Sequence, residues 1–386
     1  MCRVYRVALV ASHVIQYQAP FFRLLAGHPD VDLEVIYCSR AGAEVYLDAE
    51  MQTSLRWDLD LLSGYRHTFL RNFGSGEGPA RAINPGIVPK LLFGRYDAVA
   101  FFLGWGTLTS LLGIAACRMS ATPFFLFGDS SHPPPPSFPR DPMLRTLFRT
   151  TDAFLVSGVL NAEYYRHYGA DPKRFFLVPW AVDNARFAAD SRFAPGEREA
   201  LRARFGVRPG QLALVYSAKL LPRKDPMTLL RALDAMRHRD RAAVVFLGHG
   251  AMREELETFA RERGLNVHFA GFVNQTELPK HYAACDVFVL PSVDEPRGSV
   301  INEAMAAGLP VVISDRVGSI GDIVRDDENA FVFRAGDAAT LAQKFDLLVE
   351  QPELRERMAA RSRELISEWD YARGVQGLVE ALRATC

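Results

Sequence analysis

Residues 287–314 read VFVLPSVDEPRGSVINEAMAAGLPVVIS, which is the most informative stretch of the sequence. An apolar run ends at Pro291, a polar loop follows, and a second apolar run begins at Pro310 after a segment with helical spacing. The pattern predicts a buried strand, a loop, a helix and a second buried strand. Such units build parallel sheets that are covered by helices on both faces, so we predict an α/β protein.

The same alternation extends in both directions along the chain. The predicted strands of the first half are VYRVALVA, LEVIY, AVAFFL, FFLFG, AFLVS and FFLVP, and those of the second half are LALVYSA, AVVFLG, VHFAG, VFVLP and PVVIS. An interruption between about residues 180 and 208 contains the polar stretch AADSRFAPGERE. We therefore predict a linker there, and two sheets instead of one very wide sheet.

Composition and charge narrow the class of protein. The 386 residues are 49% apolar and 23% charged, which is ordinary for a globular chain. Lys and Arg together number 45, as do Asp and Glu, so a formal net charge of zero gives no support for a nucleic-acid partner. None of the five cysteines forms a C-x-x-C pair, which disfavours structural zinc and favours a reducing, cytoplasmic location. The N-terminal run MCRVYRVALVASH predicts a strand and not a signal peptide.

One uncharged stretch requires a membrane test. Residues 98–117, AVAFFLGWGTLTSLLGIAAC, have about the length that spans a bilayer. Glycines and a cluster of Thr and Ser interrupt the run. A buried strand, a Gly-Trp-Gly turn and a helix explain it without a membrane, and we favour that interpretation over an inserted helix.

Two carboxylates flank the helix predicted within residues 287–314. Glu295 lies in the loop, Gly298 opens the helix, and Glu303 lies on its second turn. The first N–H groups of a helix lack intrahelical partners and attract anions, and a glycine permits close approach of a phosphate. Because carboxylates accept hydrogen bonds from hydroxyls, the arrangement suits an anionic, hydroxyl-rich ligand such as a nucleotide sugar. Solvated charges at a helix end are the alternative interpretation.

A basic loop lies upstream, in SAKLLPRKDPMTLLRAL. Lys219 and Lys224 are five residues apart between a predicted strand and a predicted helix, and Arg223 could substitute for either. Fixed cations at such a place would stabilise the charge that develops on a departing phosphate without a metal ion. Ordinary surface lysines are the alternative.

These two stretches resemble the retaining GT-B glycosyltransferases, particularly family 4, which carry an E-x7-E motif and a basic pair. The resemblance implies that Glu295 meets the donor sugar and that Glu303 holds the ribose. It also implies backbone amides near the sugar and the distal phosphate, those of Gly298, Ser299 and Val300. Lys219 and Lys224 would neutralise the donor diphosphate. Lys219 stands where the family usually has Arg, which keeps the charge but removes a bidentate contact.

Three further stretches are similar to the same family. FLGHGAMREEL, with Gly248, resembles a glycine-containing strand–helix turn. The segment that begins with VHFAG resembles the part that packs around the nucleobase, with Phe272 and Val273 nearest, although an ordinary strand-end turn is the alternative. VPWAVDNARF is similar to the interdomain string P-N-G-V-D, with Trp-Ala in place of Asn-Gly. The resemblance is close over residues 177–334 and thins toward both termini.

The N-terminal half offers candidates with less support. His13 and Gln16 follow the first predicted strand, at a strand end where sites of open sheets lie, but a structural histidine is an equal interpretation. His132 and Asp129 share the loop that follows FFLFG. Members of the resembled family often place a histidine in this part of the domain to contact the donor sugar, and Asp129 could orient it or bind an acceptor hydroxyl. Trp105 could stack on a ring or belong to the core.

The resemblance implies a GT-B fold, with two Rossmann-like domains that face each other across a deep cleft. An acceptor-binding domain would comprise residues 1–185 with a crossover helix in 366–386, and a donor-binding domain would comprise residues 186–365. The implied reaction is retaining, metal-independent transfer of a sugar from a nucleotide-diphosphate sugar to a hydroxyl of a glycan, a lipid-linked sugar or a small aglycone. The implied enzyme needs no cofactor, and peripheral contact with the inner membrane face stays open.

Other functions also stay open. A nucleotide-sugar epimerase or a phosphorolytic enzyme would share the fold, and a non-catalytic subunit would share nucleotide-sugar binding. The D-x-D strings that begin at Asp30 and Asp58 lack the surroundings of a metal-binding motif. A dehydrogenase or an ATPase is disfavoured, because the sequence completes neither a dinucleotide fingerprint nor a Walker A string.

Overall fold

The computed structural model describes residues 3–48, 50–51, 53–74 and 82–386. The chain divides into two compact units, each with its own parallel sheet. The first unit comprises Met1–Tyr46, Leu55–Ala181 and Asp370–Cys386. The second comprises Leu47–Ser54 and Val182–Trp369. The chain therefore changes unit after residues 181 and 369, and residues 47–54 are an additional segment of the second unit that the sequence did not indicate.

Strands and helices alternate along most of the chain. Strands β1 to β15 lie, in order, at Tyr5–Ala11, Val31–Tyr37, Tyr46–Asp48, Thr53–Leu55, Arg66–Phe69, Ala98–Phe101, Phe124–Phe127, Ala153–Val156, Phe175–Leu177, Leu212–Ser217, Ala242–Leu247, Val267–Gly271, Val287–Leu290, Val311–Ser314 and Ala330–Phe333. Helices α1 to α14 lie, in order, at Ala19–Ala26, Ile87–Phe93, Leu108–Met119, Arg140–Thr150, Val159–His167, Asn184–Asp190, Glu197–Arg204, Pro226–Ala235, Arg253–Arg263, Leu278–Ala283, Ser299–Ala306, Ala338–Glu350, Pro352–Ser367 and Tyr371–Thr385.

The sheet of the first unit has the strand order β5-β2-β1-β6-β7-β8-β9, with parallel neighbours. Because successive side chains of a strand point to opposite faces, Val7 and Leu9 pack in one apolar cluster and Ala8 and Val10 in another. Helices α1 and α14 contribute to the first cluster, and α3 and α5 contribute to the second. Both faces are buried, which explains why these strands are continuous apolar runs in the sequence.

The sheet of the second unit has the order β12-β11-β10-β13-β14-β15, again with parallel neighbours. All six residues of β10 are buried, as are all four of β13 and of β14. These central strands place the loops that follow them at one edge of the sheet, where the candidate site lies.

The linker predicted between about residues 180 and 208 is wrong in part, because most of this stretch is folded. It forms α6 and α7 in the second unit. Arg198 Nη2 and Arg202 Nη1 contact the Asp286 carboxylate at 2.8 and 3.0 Å, and Asn184 Nδ2 donates to the carbonyl oxygen of Ile366 at 2.8 Å. Ion pairs and contacts with carbonyl groups fix these helices, so their sequence has the polar composition of a linker.

Residues 98–117 contain a strand, a turn and a helix, as the sequence predicted. They form β6, a turn and most of α3, which begins with a cap in which Thr107 Oγ1 accepts from the N–H of Ser110 at 3.0 Å. Within the described ranges, no helix combines the length and the apolar character that a bilayer crossing requires. The N-terminal run forms β1, and Met1 and Cys2 lie outside the described residues.

Three thiols are buried in the units, and two of them, Cys38 and Cys285, lie in or beside apolar runs of the sequence. Cys38, Cys117 and Cys285 are free cysteines with no more than 2% exposure. Burial raises the pKa of the Cys38 and Cys117 thiols to about 12. These side chains therefore act as small apolar residues of the core.

The sequence did not predict four of the strands, which are β3, β4, β5 and β15. Strand β5 lies at an edge of its sheet and reads RHTF, with no buried residue. Strands β3 and β4 have three residues each and form a two-stranded sheet. These three strands lack the apolar run on which the prediction relied, whereas β15 reads AFVF and is an apolar run that the prediction missed.

Candidate functional site

The candidate site of the second unit lies at the carboxyl ends of β10 and β13, which are neighbours in the sheet. Ligand sites of open parallel sheets lie at such ends. The loop after β10 carries Lys219, Arg223 and Lys224. The loop after β13 carries Glu295, and the two loops touch, because the N–H of Val293 donates to the carbonyl oxygen of Arg223 at 3.0 Å. The fold thus brings together the two stretches that the sequence singled out.

Lys224 and Glu295 form an ion pair through Nζ and Oε2. Only 11% of the Lys224 side chain and 10% of the Glu295 side chain are exposed. The backbone of Glu295 is held as well, because its N–H donates to the carbonyl oxygen of Arg316 at 3.3 Å and its own carbonyl accepts from Gly318 at 2.9 Å. Burial, reinforced by the Glu295 charge, raises the pKa of Tyr216 well above its ordinary value. The pair is therefore a fixed, largely desolvated element of the site.

Gly298 is required where α11 begins. Its φ of +81° lies in the left-handed region. A Cβ at this position would lie 3.0 Å from Ile301 Cδ1 and 3.3 Å from Glu295 Cγ. Ser299 and Val300 follow as the first helical residues and are half-buried. The glycine thus lets the loop turn directly into a helix whose first N–H groups have no intrahelical acceptors.

Glu303 lies deeper than the other site carboxylate. It is 1% exposed, and it accepts hydrogen bonds from the Tyr282 hydroxyl at 2.9 Å and from Gln275 Nε2 at 3.3 Å. Gln275 is fixed in turn by Arg186, whose Nη1 donates to its backbone carbonyl at 2.8 Å and whose Nη2 donates to Oε1 at 3.0 Å. A ligand hydroxyl that reached Glu303 would join or replace the amide of Gln275.

Two acidic residues that the sequence did not predict also belong to this region. Asp48 and Glu50 lie in residues 47–54, which we call the acidic hairpin and of which residues 49 and 52 lie outside the described part of the chain. Lys219 Nζ lies 2.9 Å from Asp48 Oδ2 and 2.7 Å from Glu50 Oε2, and Arg223 Nη2 lies 3.1 Å from Glu50 Oε2. Burial raises the pKa of Asp48, but hydrogen bonds from Lys219 and the backbone outweigh it and the pKa is lowered, while Lys219 directly lowers the pKa of Glu50.

A buried ion pair supports the loop from behind. Arg297 Nη1 lies 2.5 Å from Asp322 Oδ2, and the two side chains are 5% and 3% exposed. The Arg297 guanidinium lies over the Trp369 ring at 5.2 Å, and its backbone carbonyl accepts from Ser319 Oγ. Burial lowers the pKa of Arg297. The sequence did not predict this pair, because an Arg in a polar loop has no feature that indicates burial.

The other predicted donor residues lie at neighbouring strand ends. Gly248 follows β11 with a φ of +150°, and a Cβ there would lie 2.1 Å from the carbonyl oxygen of Ala218. Its N–H donates to the carbonyl oxygen of Gly271 at 2.7 Å. Phe272 and Val273 follow β12 directly and are half-buried. Gly248 therefore allows close packing between the loops after β10 and β11, and contact with a ligand stays a prediction for all three.

Two histidines of the first unit lie at the carboxyl edge of its sheet. His13 follows β1, and its Nδ1 lies 2.9 Å from Ser12 Oγ. His132 lies in the loop after β7, is exposed, and its Nδ1 lies 3.0 Å from Ser131 Oγ. In each case the contact between the preceding serine and Nδ1 helps to orient the ring.

The remaining candidates of the first unit are spread along the same edge. Asp129 is exposed in the loop after β7, and Gln16 is half-buried after β1. Trp105 follows β6 and packs against the apolar cluster that contains Phe101, which supports its interpretation as a core residue. The sheet order places the ends of β1, β6 and β7 next to each other, so the topology brings these residues to the same edge of the sheet.

The D-x-D strings have structural partners. Asp30 Oδ2 lies 2.6 Å from Arg383 Nη2, and Asp32 Oδ1 lies 2.6 Å from Arg66 Nη2. Across the described part of the chain, no three His, Cys, Asp or Glu side chains are grouped in a way that could hold a metal ion. Asp30 and Asp32 are therefore explained as ion-pair partners within the first unit.

Comparison with known proteins relates this site to a described family. Residues 197–365 match the family model of glycosyl transferases group 1. A D-inositol 3-phosphate glycosyltransferase of Geodermatophilus obscurus is 34% identical over 230 residues, which are 56% of this chain and 49% of the relative. The putative glycosyltransferase EpsD of Bacillus subtilis is 29% identical over 204 residues, which are 53% of this chain and 52% of the relative. The chain thus spans about half the length of the curated relatives it matches.

Solved structures establish the fold. HepE of Anabaena, solved in complex with UDP and glucose, superposes with a TM-score of 0.75 at 18% identity and covers 98% of this chain and 100% of its own. A sucrose-phosphate synthase of Thermosynechococcus elongatus superposes with a TM-score of 0.73 at 18% identity, and the match covers 98% of each chain. The fold is therefore the GT-B fold, as the sequence predicted.

Proposed function

We propose that this protein is a glycosyltransferase that moves a sugar from a nucleotide-diphosphate sugar to an acceptor hydroxyl, with retention of configuration and without a metal ion. The proposal rests on one observation. The loop after β10, with Lys219, Arg223 and Lys224, contacts the loop after the adjacent strand β13, with Glu295, beside the start of α11. The match of residues 197–365 to glycosyl transferases group 1 supports it. HepE is solved with UDP and glucose, which supports a nucleotide-sugar donor for this chain as well.

The three cations would act on the leaving group. As the bond to the sugar breaks, negative charge grows on the diphosphate, and fixed cations lower the free energy of that transition state more than that of the bound donor. Lys224 is the best placed for this role, because it is 11% exposed and its charge acts in a poorly solvated position. In other enzymes a metal ion stabilises this leaving-group charge. Because the three cations would do so here, we propose that the reaction needs no metal ion.

The remaining residues would position the donor. The first N–H groups of α11 would bind the distal phosphate, which is the usual role of a helix start toward an anion. Glu295 would accept a hydrogen bond from a sugar hydroxyl, and Glu303 would accept one from the ribose in exchange for the Gln275 amide. Retention of configuration rests on the resemblance of residues 287–314 to the E-x7-E glycosyltransferases.

The first unit would bind the acceptor. His13, Gln16, Trp105, Asp129 and His132 lie at strand ends of its sheet, which is where an open parallel sheet binds ligands. We propose a hydroxyl-bearing acceptor, such as a glycan, a lipid-linked sugar or a small aglycone. A cytoplasmic location, with peripheral contact at the inner membrane face, would suit such an acceptor.

The test begins with the donor. UDP-, GDP- and dTDP-sugars are screened for a rise in melting temperature, since a ligand that binds only the folded protein stabilises it. Glu303→Gln should raise the Kd of the donor that binds best by about tenfold or more, because a hydrogen bond to a charged group is lost. Glu364→Gln is the matched control, since this carboxylate is exposed and pairs only with Arg361 among the described residues.

The second step identifies the reaction. Release of nucleoside diphosphate that requires an acceptor supports transfer, whereas release without one, or a changed sugar in the recovered donor, supports hydrolysis or epimerisation. Nuclear magnetic resonance of the first product reports the anomeric configuration. If no nucleotide sugar stabilises the protein and Glu303→Gln binds all of them as the parent does, the proposal is wrong.

A further inference from the structure

The acidic hairpin (residues 47–54) places two carboxylates on the cations of the candidate site. Lys219 Nζ contacts both Asp48 and Glu50, and Arg223 Nη2 contacts Glu50. A Lys ammonium has three N–H donors, so two of the three donors of Lys219 are already engaged. The ligand that the proposed function assigns to these cations is a diphosphate, which offers the same kind of acceptor, an anionic oxygen.

The acidic hairpin contacts the rest of the second unit through a backbone hydrogen bond and a buried side chain as well as through its ion pairs. The carbonyl oxygen of Met51 accepts from His249 Nδ1 at 3.0 Å, which requires the hydrogen of the ring to be on that nitrogen. Met51 is 6% exposed. Asp48 Oδ1 accepts from the N–H groups of Glu50 and Met51 at 3.0 and 2.9 Å, so the turn itself aims the carboxylate. The acids therefore meet the cations as part of a formed local structure and not as two freely rotating side chains.

We propose that the acidic hairpin competes with the donor diphosphate for Lys219 and Arg223, so that the hairpin has to release these cations before the diphosphate binds them. This inference rests on the proposed function, because it takes the two cations as ligands of the diphosphate. If the hairpin stayed in place, the diphosphate charge would lie beside two carboxylates, and like charges at such distances repel. The contact is therefore a built-in competitor that opposes weak anions and yields to a ligand with more negative charge.

The strength of the competition is limited by solvent. The Lys219 side chain is 30% exposed, that of Glu50 is 46% exposed and that of Arg223 is 42% exposed. Each ion pair with this degree of exposure contributes little to stability or binding. The hairpin should therefore weaken diphosphate binding measurably without preventing it.

Inorganic diphosphate is the appropriate test ligand, because it requires no knowledge of the base or the sugar. Its Kd is measured by calorimetric titration at low salt. Asp48→Asn combined with Glu50→Gln should lower the Kd by about threefold to tenfold, the gain expected from removing two exposed competitors. Glu50→Gln alone should give a smaller gain in the same direction, and because Glu50 is half-exposed this variant keeps the fold. Asp234→Asn combined with Glu257→Gln removes two ion-paired carboxylates elsewhere in the second unit and should change the Kd less than twofold.

Hydrogen exchange of the full chain gives a second reading. Addition of diphosphate to the parent protein should raise amide exchange in residues 47–54 while exchange in β10 stays unchanged. Unchanged or stronger protection of the hairpin, together with an unchanged or raised Kd in the double variant, overturns the inference.

The last comparison separates failure of this inference from failure of the proposed function. Lys219→Ala combined with Arg223→Ala should weaken diphosphate binding by about tenfold or more. If it does so while neutralisation of Asp48 and Glu50 changes nothing, only the competition is wrong. If the cation variant binds diphosphate as tightly as the parent, or if neither the parent nor the neutralised hairpin binds it, the proposed diphosphate site is wrong and the inference falls with it.

Discussion

The two units hold their candidate side chains in opposite ways. In the second unit, Glu295, Arg297 and Glu303 are 8%, 4% and 1% exposed, and each has a charged or hydrogen-bonding partner from another loop or helix. In the first unit, Asp129 and His132 are exposed on the loop after β7. A site that is fixed by buried contacts restricts which residue types fit at which spacing, and a site on an exposed loop does not.

The difference has an energetic consequence. Burial of a charged group costs free energy unless a partner compensates it. The stability of the second unit therefore depends on the ion pairs and hydrogen bonds that hold its site. The exposed loop of the first unit carries no such cost and tolerates substitution. Variants should therefore change stability and activity together in the second unit and separately in the first, and this is the comparison that the following variants test.

The largest effect is expected at the buried ion pair. Arg297→Met would remove the buried cation that pairs with the Asp322 carboxylate, and we expect the free energy of unfolding to fall by about 3–5 kcal/mol. Denaturant unfolding measures it. Arg361→Met, which breaks a solvent-accessible pair with Glu328, should lower the free energy of unfolding far less and is the control. Addition of Asp322→Leu to Arg297→Met should recover most of the loss. A small loss in the single variant would remove the contrast between the units.

Turnover is the next largest effect. Lys224→Ala would remove the cation that faces the growing charge of the leaving group, so we expect kcat to fall by about 100-fold to 1,000-fold while the donor Kd rises less. Steady-state kinetics and donor titration together test this. Lys280→Ala, which breaks an ion pair with Glu197 away from the strand ends, should leave both quantities nearly unchanged. Equal changes in kcat and in donor binding would show that Lys224 only binds the donor.

A third variant, Glu34→Gln, tests whether the first unit also contains a charge that is fixed by hydrogen bonds, away from its candidate site. Burial raises the pKa of Glu34, but hydrogen bonds from Lys90, Tyr96 and Thr68 outweigh it and lower the pKa to about 2. Because the pKa of Glu34 is lower in the folded protein than its ordinary value of 4.5, the ionised carboxylate stabilises the fold at pH values above 4.5. This contribution is lost as the pH falls through about 2.

Glu34→Gln should therefore lower the free energy of unfolding by about 2 kcal/mol at neutral pH and make no difference near pH 2. Unfolding curves over this pH range measure the difference. Glu44→Gln, at an exposed pair with Arg40, is the control and should change stability little at any pH. A difference between Glu34→Gln and the parent that persists in acid would show that packing, and not the charge, is responsible.

The smallest effect is expected on the exposed loop. His132→Ala should change the free energy of unfolding by no more than about 0.5 kcal/mol, because the side chain is exposed. If the ring contacts substrate, kcat/KM should fall by about tenfold at the same time. His167→Ala, on the exposed side of α5, is the control and should change neither quantity. A stability loss as large as that at Arg297 would contradict the comparison.

The fold was predictable to the extent that burial is visible in the sequence. The central strands of both sheets are buried on both faces and appear as apolar runs, whereas β5 and the hairpin strands are short or half-exposed and have no such signal. The stretch that looked like a linker is polar because ion pairs with Asp286 fix its second helix, and a composition argument cannot distinguish the two cases.

The candidate site was predictable where its residues are close in sequence. Glu295, Gly298 and Glu303 lie within one loop and one helix, so their spacing and the resemblance sufficed to single them out. The contact of Asp48 with Lys219 joins residues 171 positions apart, and nothing near either residue indicates the other. Long-range pairing of charged groups depends on the tertiary fold, which the sequence pattern alone does not supply.

The division of the chain into interleaved segments affects how the protein is made. Residues 47–54 leave the ribosome long before residues 182–369, the rest of the unit to which they belong. The first unit in turn acquires α14 only after residues 370–386 have been synthesised. During translation the second unit therefore cannot be completed before residues 182–369 have emerged, and the first unit cannot be completed before residues 370–386 have emerged.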